Sequence, residues 1–126
     1  INRFGDRFKV LGGVDPISLE SLMIGADGLV AGLVGAYPRE TVAIYNYVKS
    51  GNYEEAIKIY RWFMPLLELD IHPKLVQYIK LAAVSEGISN EYVRAPRLTL
   101  IGEERERVLN VIEASKANRP QLSVNV

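Results

Sequence analysis

The sequence predicts an α/β protein in which two strand-helix units are followed by a run of helices. Residues 8–12 and 28–32 are short apolar segments that end in glycine, as buried strands do. Their starts lie about 20 residues apart, a spacing that suits a βαβ crossover with parallel strands. Both segments are apolar on every face, which is typical of a parallel sheet covered on both sides. After Pro38 the strand pattern stops and helical periodicity takes over.

A helix is predicted between the two strands. Pro16 suits its first turn, Asp15 can cap it and Gly25 ends it. The apolar face of this helix comprises Ile17, Leu19, Leu22, Met23 and Ile24. Residues 1–7 are amphipathic and are typical of the tail of a helix already under way. Since the chain also begins with Ile1 and not methionine, we expect it to start within a longer protein.

Four further helices are predicted, over residues 38–49, 53–69, 73–87 and 103–116. Ser50-Gly51 is a usual stop for the first of them, and Asn52 can cap the second. The second helix has so wide an apolar arc that it must pack on two sides. Residues 118–126 have no periodicity. We therefore divide the chain into residues 1–50, with the two βα units, and residues 51–126, a helical extension.

The composition argues against several classes of function. Fifteen basic residues balance fifteen acidic ones, so no net field would attract nucleic acid or an anionic membrane. There is no cysteine, which rules out disulfides and thiolate metal sites and favours the cytoplasm. No apolar stretch approaches the roughly 20 residues that span a bilayer. We expect a cytoplasmic protein with no nucleic-acid partner, no membrane partner and no metal.

Four motifs resemble those of one enzyme family. Residues 8–15 (FKVLGGVD) resemble the family's seventh barrel strand and its acidic loop, and residues 25–32 (GADGLVAG) resemble the eighth. Residues 49–56 (KSGNYEEA) are similar to the junction into the C-terminal helices, and residues 94–98 (RAPRL) to the stretch before the last helix. The family is that of the Schiff-base aldolases and lyases, which includes dihydrodipicolinate synthase and N-acetylneuraminate lyase. The similarity extends from the first residue to about residue 117.

The resemblance implies a fold and an activity. The fold is the C-terminal part of a TIM (β/α)8 barrel, its last two βα units, followed by a C-terminal helical bundle. The activity is that of a lyase or aldolase in which a lysine forms a Schiff base with pyruvate, without a cofactor. The partner substrate is an aldehyde or a sugar acid, and the enzyme is expected to be a homo-oligomer. In the family the lysine belongs to strand six, a proton-shuttling tyrosine to strand five and a threonine pair to strand two. None of these segments is present, so we expect no catalytic residue in this chain and no activity from it alone.

Three substrate-binding residues are implied by the same resemblance. By position, Gly13 and Val30 match family residues whose backbone approaches the bound keto acid. Asp15 matches an acidic position that contacts substrate hydroxyls in the sugar-acid lyases, and it could equally cap its helix. Gly12 and Gly13 either only allow the chain to turn or let the backbone come close to a ligand.

Two departures from the family pattern leave the reaction open. Members of lysine biosynthesis tend to have an asparagine-proline pair and a PvK motif where this chain has residues 70–80 (DIHPKLVQYIK). They also tend to have an asparagine after strand eight, at the position of Gly35. Other keto-acid lyases, dehydratases and deaminases of the family therefore remain candidates.

Two side chains could suggest other chemistry, but a structural interpretation is favoured for both. Lys9 lies at the N-terminal end of its predicted strand, opposite the catalytic face of a barrel. His72 precedes Pro73 at a helix start, where capping is the expected role. The alternative function for the whole chain is a non-catalytic helical module, with residues 38–117 as an assembly surface.

Overall fold

The computed structural model describes residues 2–122. Two short strands, β1 (Leu11–Gly12) and β2 (Gly28–Leu29), are connected through helix α1 (Ser18–Met23). Four longer helices follow: α2 (Pro38–Lys49), α3 (Tyr53–Leu67), α4 (Leu75–Ser85) and α5 (Gly102–Ala117). The described chain is therefore mostly helical, with a small sheet, in the predicted order of elements.

The two strands are parallel, as the βαβ spacing predicted. The register pairs Leu11 with Gly28 and Gly12 with Leu29. One step further along, the backbone N–H of Val30 donates to the carbonyl of Gly12 at 2.7 Å. Each strand is two residues long where five were predicted. A strand extends only as far as its partners do, and each of these strands pairs on one side within residues 2–122.

The predicted burial of the strand residues is wrong for this chain. Phe8 and Leu11 are 55% and 54% exposed, and Val30 is 65% exposed. We use the term uncovered strand residues for these three together with Val10 and Val14, which are also exposed. Phe8 meets Phe4 edge-to-face with ring centroids 5.5 Å apart, yet all five side chains stay more than a third exposed. Side chains this apolar are normally inside a protein, so the sequence pattern reflects a covered sheet that the described residues do not complete.

Two predicted helix caps are also wrong. Helix α1 begins at Ser18, after the 3-10 turn Asp15–Ile17, and the Asp15 carboxylate makes no capping bond there. Asn52 precedes α3 but its side chain does not cap that helix either. Glu54 and Glu55 in the first turn of α3 interact favourably with the helix dipole instead.

The ends of the long helices agree closely with the predictions. Gly51 after α2 and Gly87 after α4 adopt left-handed φ values of 77° and 71°, which glycine tolerates without strain. Helix α3 ends at Leu67 and continues as the 3-10 turn Glu68–Ile71, where a single helix to about residue 69 was predicted. Helix α4 begins at Leu75, two residues later than predicted.

Helix α3 lies at the centre of the hydrophobic core. Its residues Phe63 and Leu66 are at most 1% exposed, and Phe63 meets the buried Tyr37 edge-to-face with ring centroids 5.5 Å apart. The same core includes Leu22 of α1 and Ile112 of α5. The residues on either side of the proposed boundary at residue 50 therefore share one core, and the division into two domains stays a prediction.

The segment after α5 is irregular, as predicted, but it is anchored. Arg119 pairs with the buried Glu40 of α2, with Nη2 and Oε1 2.6 Å apart, and with Glu86 after α4 at 2.7 Å. Its guanidinium also lies over the ring of Tyr37. This arginine ties together the end of the described chain and two helices. The last four residues of the predicted tail, 123–126, lie outside the described residues.

Candidate functional site at the ends of the two strands

Gly13 and Val30, two of the three predicted substrate-binding residues, lie side by side. Each follows the last residue of its strand, and parallel strands end at the same edge of a sheet. A Cβ placed on Gly13 would be 3.6 Å from the carbonyl oxygen of Val30. Both residues are exposed. Gly13 has no side chain, so its backbone is accessible from the carboxyl edge of the sheet, whereas the backbone N–H of Val30 already donates to the carbonyl of Gly12.

Gly12 has a packing reason to be glycine. A Cβ at this position would lie 2.9 Å from Cβ of Ser21 in α1 and 3.1 Å from a methyl carbon of Leu29. Gly13 has no such crowding beyond the Val30 carbonyl. Close packing therefore explains Gly12, and for Gly13 the two interpretations, a chain turn or close approach of the backbone to a ligand, stay predictions.

Asp15 is the third predicted residue, and it lies behind the surface formed by the other two. It is 1% exposed. Its Oδ1 accepts a hydrogen bond from the backbone N–H of Gly32 at 3.1 Å, and its Oδ2 accepts one from Leu33 at 2.7 Å. The side chain thereby connects the segment after β1 to the loop after β2, so its role in this chain is to hold that loop.

The environment of the Asp15 carboxylate acts on its charge in two directions. Burial raises the pKa of Asp15, because a charge removed from water is disfavoured. The two backbone hydrogen bonds from Leu33 and Gly32 stabilise the charged form and oppose that rise. Two backbone N–H groups thus compensate part of the cost of burying a carboxylate without a cationic partner.

Asp70 belongs to this site, although the sequence analysis did not identify it. It lies in the 3-10 turn that follows α3, and a Cβ on Gly32 would overlap its Oδ1. Burial raises the pKa of Asp70, and the negative charge of Asp15 raises it further. The contact between Gly32 and Asp70 is what assigns Asp70 to the site. It depends on packing between distant parts of the chain, so the sequence alone gives no sign of it.

Lys9 lacks the properties of a Schiff-base nucleophile, as predicted. Its side chain is 77% exposed, and its Nζ pairs with Oδ1 of Asp27 at 3.0 Å. The hydrogen bond to Asp27 raises the pKa of Lys9, whereas an amine nucleophile is activated by a lowered pKa.

His72 also serves the structure. Its Nδ1 accepts a hydrogen bond from the backbone N–H of Lys74 at 3.1 Å, at the turn that leads into α4. The imidazole stacks on the ring of Tyr78 with centroids 4.7 Å apart. The capping role predicted for His72 is wrong, because the N-cap residue of α4 is Lys74 and no side chain caps that helix.

Neither a metal-binding cluster nor a membrane-spanning helix is found among residues 2–122. Among residues 2–122 there is no group of three or more histidine, cysteine, aspartate or glutamate side chains arranged to hold a metal ion. Within the same residues no helix has both the length and the apolar character needed to cross a membrane. A groove of about 710 Å³ lies between α3 and α5, lined by Trp62, Pro65 and Val111 among others, and the strand-end residues are not part of it.

Two parallel strands connected through a helix and followed by packed helices are the features by which the class of the protein can be recognised. Comparison with solved structures identifies the fold as a C-terminal portion of a TIM-barrel enzyme. The sequence model of the dihydrodipicolinate synthetase family matches residues 1–115. The chain belongs to that family.

The curated relatives include both named and uncharacterised lyases. A 4-hydroxy-tetrahydrodipicolinate synthase of Chlorobium luteolum is 31% identical over 108 residues, which is 83% of this chain and 36% of the relative. The same enzyme of Limosilactobacillus fermentum is 26% identical over 105 residues, covering 83% and 34%. An uncharacterised DapA-like lyase of Pyrococcus abyssi is 30% identical over 98 residues, covering 77% and 33%. The chain spans about a third of the length of these relatives.

Solved structures of the same family also resemble this chain over part of their length. A dihydrodipicolinate synthase from Aquifex aeolicus superposes with a TM-score of 0.80 at 25% identity, covering 98% of this chain and 41% of that one. The enzyme from Bacteroides thetaiotaomicron has a TM-score of 0.74 at 26% identity, covering 85% and 38%.

Proposed function

We propose that this chain is the C-terminal part of a lyase or aldolase that processes pyruvate or another 2-keto acid through a lysine Schiff base. The observation that carries the proposal is that Gly13 and Val30 lie exposed and side by side at the carboxyl edge of two parallel strands, in a chain of the dihydrodipicolinate synthetase family. In TIM barrels this edge is where active sites lie. The residues of this chain form one side of the site, and the lysine belongs to a segment before residue 8.

The proposed chemistry needs an amine that this chain does not supply. The lysine amine adds to the keto carbon and water is lost, which leaves an iminium that accepts the electron pair of a neighbouring bond as that bond breaks. In the condensing direction the iminium loses a proton from the adjacent carbon, and the resulting enamine donates its electron pair to the carbonyl carbon of the second substrate. The Gly13 and Val30 backbone would orient the keto acid, since glycine lets the main chain approach a ligand closely. Asp15 would act from behind by fixing the loop after β2, and direct contact with a substrate hydroxyl stays part of the proposal.

The proposal leaves the second substrate open. An aldehyde or a sugar acid would meet segments that come earlier in a barrel, and the departures at residues 70–80 and Gly35 argue against assuming the reaction of lysine biosynthesis. We also propose that the protein is cytoplasmic, forms a homo-oligomer and uses no cofactor. Assembly is supported by three apolar side chains on the connection between α4 and α5, each about four-fifths exposed: Tyr92, Leu98 and Ile101. Exposed apolar patches often mark protein–protein interfaces.

The test is to trap the Schiff base in the longer protein. Pyruvate and borohydride should convert one lysine to N-(1-carboxyethyl)lysine, which mass spectrometry of peptides locates. We expect the modified lysine at a strand end about 20 to 35 residues before Phe8, a range set by one βα repeat of a barrel. Absence of an adduct, or an adduct on Lys9, would overturn the proposal. The first of these outcomes would favour the non-catalytic helical module.

A further inference from the structure

We propose that Asp70 is a positioning residue for the substrate-binding edge: from the helical extension, it fixes the loop after β2 and so the backbone of Val30 and Gly13. This inference rests on the proposed function, because it assigns a role in that same site. Asp70 would touch no reacting atom.

The contact between Asp70 and Gly32 is the first observation. A Cβ on Gly32 would overlap Asp70 Oδ1 and would lie 2.9 Å from Cδ1 of Ile79 in α4. The main chain at residue 32 therefore runs directly against a carboxylate from the turn after α3, with no room for any side chain. Gly32 lies two residues after Val30, so a shift at Gly32 is transmitted to the binding edge.

The second observation is that Asp15 holds the same loop from another direction. Its two oxygens accept the N–H groups of Gly32 and Leu33. The two carboxylates therefore meet at one residue, since Asp15 Oδ1 binds the N–H of Gly32 and Asp70 Oδ1 fills the place of its Cβ. Gly32 is thus held between a hydrogen-bonding carboxylate on one side and a packing carboxylate on the other.

The third observation is that Asp70 itself is placed by the core. The neighbouring Leu69 is 5% exposed and Leu67, the last residue of α3, is 3% exposed. These buried leucines fix the turn, so Asp70 has little freedom to move away from Gly32. The helical extension thus contacts the loop after β2 through Asp70, next to Ile79 of α4.

The test uses four single variants of the longer protein and one double variant, Gly32→Ala with Asp70→Ala. Asp70→Ala removes the packing carboxylate, Asp70→Asn keeps its shape, and Gly32→Ala inserts the Cβ. Glu68→Gln is the matched control, because Glu68 lies in the same turn and is exposed. The measurements are KM for pyruvate and kcat, the yield of the borohydride adduct, and hydrogen exchange of the peptide spanning residues 30–33.

We expect Asp70→Ala to raise KM for pyruvate about tenfold with a smaller change in kcat, since small misplacements of binding groups have effects of this order. Asp70→Asn should restore most of the loss. Gly32→Ala should also raise KM, and combining it with Asp70→Ala should be less than additive, because the shorter side chain leaves room for the Cβ. Exchange at residues 30–33 should quicken in Asp70→Ala and stay unchanged in Glu68→Gln.

The outcomes separate this inference from the proposed function. If the unaltered protein forms the pyruvate adduct while Asp70→Ala keeps its KM within about twofold and its exchange at residues 30–33 unchanged, only the role of Asp70 is overturned. Fully additive effects of the Gly32 and Asp70 changes would overturn it as well. If the unaltered protein forms no adduct, the proposed function fails and this inference fails with it.

Discussion

Asp15 shows how tertiary packing decides the role of a single side chain. From sequence, the residue before Pro16 had two candidate roles, a helix cap and a substrate contact. In the structure its oxygens bind the N–H groups of Gly32 and Leu33 in the loop after β2. A helix cap is a hydrogen bond to the nearby backbone, and it competes with hydrogen bonds to distant backbone N–H groups. In Asp15 the distant bonds form, because buried N–H groups require an acceptor. Which donors those are could not be predicted before the two loops were seen together.

Removing the Asp15 carboxylate should destabilise the protein. Asp15→Ala leaves the buried N–H of Leu33 without an acceptor, which costs about 1–3 kcal/mol, and it leaves the partly buried N–H of Gly32 without one at a smaller cost. We expect the free energy of unfolding to fall by about 2–4 kcal/mol, measured by denaturant titration of the longer protein. Asp15→Asn retains one acceptor oxygen and should lose less, and Asp6→Ala, at an exposed position, should change little. Equal stability of the Asp15→Ala and Asp6→Ala variants would contradict this role.

The stability of the site should also depend on pH through Asp70. Burial, followed by the Asp15 charge, raises the pKa of Asp70 above its ordinary value of 3.8. The folded state then binds this proton more tightly than the unfolded state does. The resulting stabilisation is fully present below pH 3.8 and is lost as the pH rises through the folded pKa. Relative to Asp70→Asn, the unaltered protein should therefore gain stability as the pH falls from neutral, as followed by urea unfolding. A difference that stays constant or shrinks would show that Asp70 is not buried beside Asp15.

At the scale of single elements, those formed by local interactions were predicted from the sequence more accurately than those that depend on tertiary contacts. Helices α2 and α5 were predicted to within a residue or so, because a proline or glycine marks their ends and their periodicity is local. The caps proposed for α1 and α3 were wrong, since capping competes with tertiary hydrogen bonds. The strands were found in the right places but too long, because their length depends on neighbours that a local pattern does not specify.

Helix α3 offers a direct test of where the core is centred. Phe63 is 1% exposed, meets Tyr37 edge-to-face and stacks on Trp62 with centroids 5.4 Å apart. Phe63→Ala should lower the free energy of unfolding by about 3–5 kcal/mol, the usual cost of truncating a buried phenylalanine. Tyr92→Ala is the control, because Tyr92 is 82% exposed and its loss should stay within about 0.5 kcal/mol. Similar losses for the two variants in a denaturant titration would mean that the core lies elsewhere.

For the molecule as a whole, we predict that residues 1–126 alone do not react with pyruvate. The site residues of this chain offer backbone groups, and Lys9 is ion-paired and exposed. Borohydride treatment of the isolated chain with pyruvate should leave its intact mass unchanged. The longer protein, treated in parallel, serves as the positive control. A stable adduct on any lysine of the isolated chain would mean that the nucleophile has been misplaced.

We propose, as our central claim, that this chain is a portion of a barrel, and that the other strands of the barrel pack against the uncovered strand residues. Unpaired strand edges and exposed apolar side chains promote association between chains, and Phe8, Leu11 and Val30 are all more than half exposed here. Light scattering of the isolated chain at micromolar concentration tests this claim most directly. We predict self-association, which should decrease when Phe8, Leu11 and Val30 are replaced by serine. A monomer that scatters as a single 14.1 kDa chain and melts cooperatively would contradict the claim and would show that residues 1–126 form a self-sufficient domain.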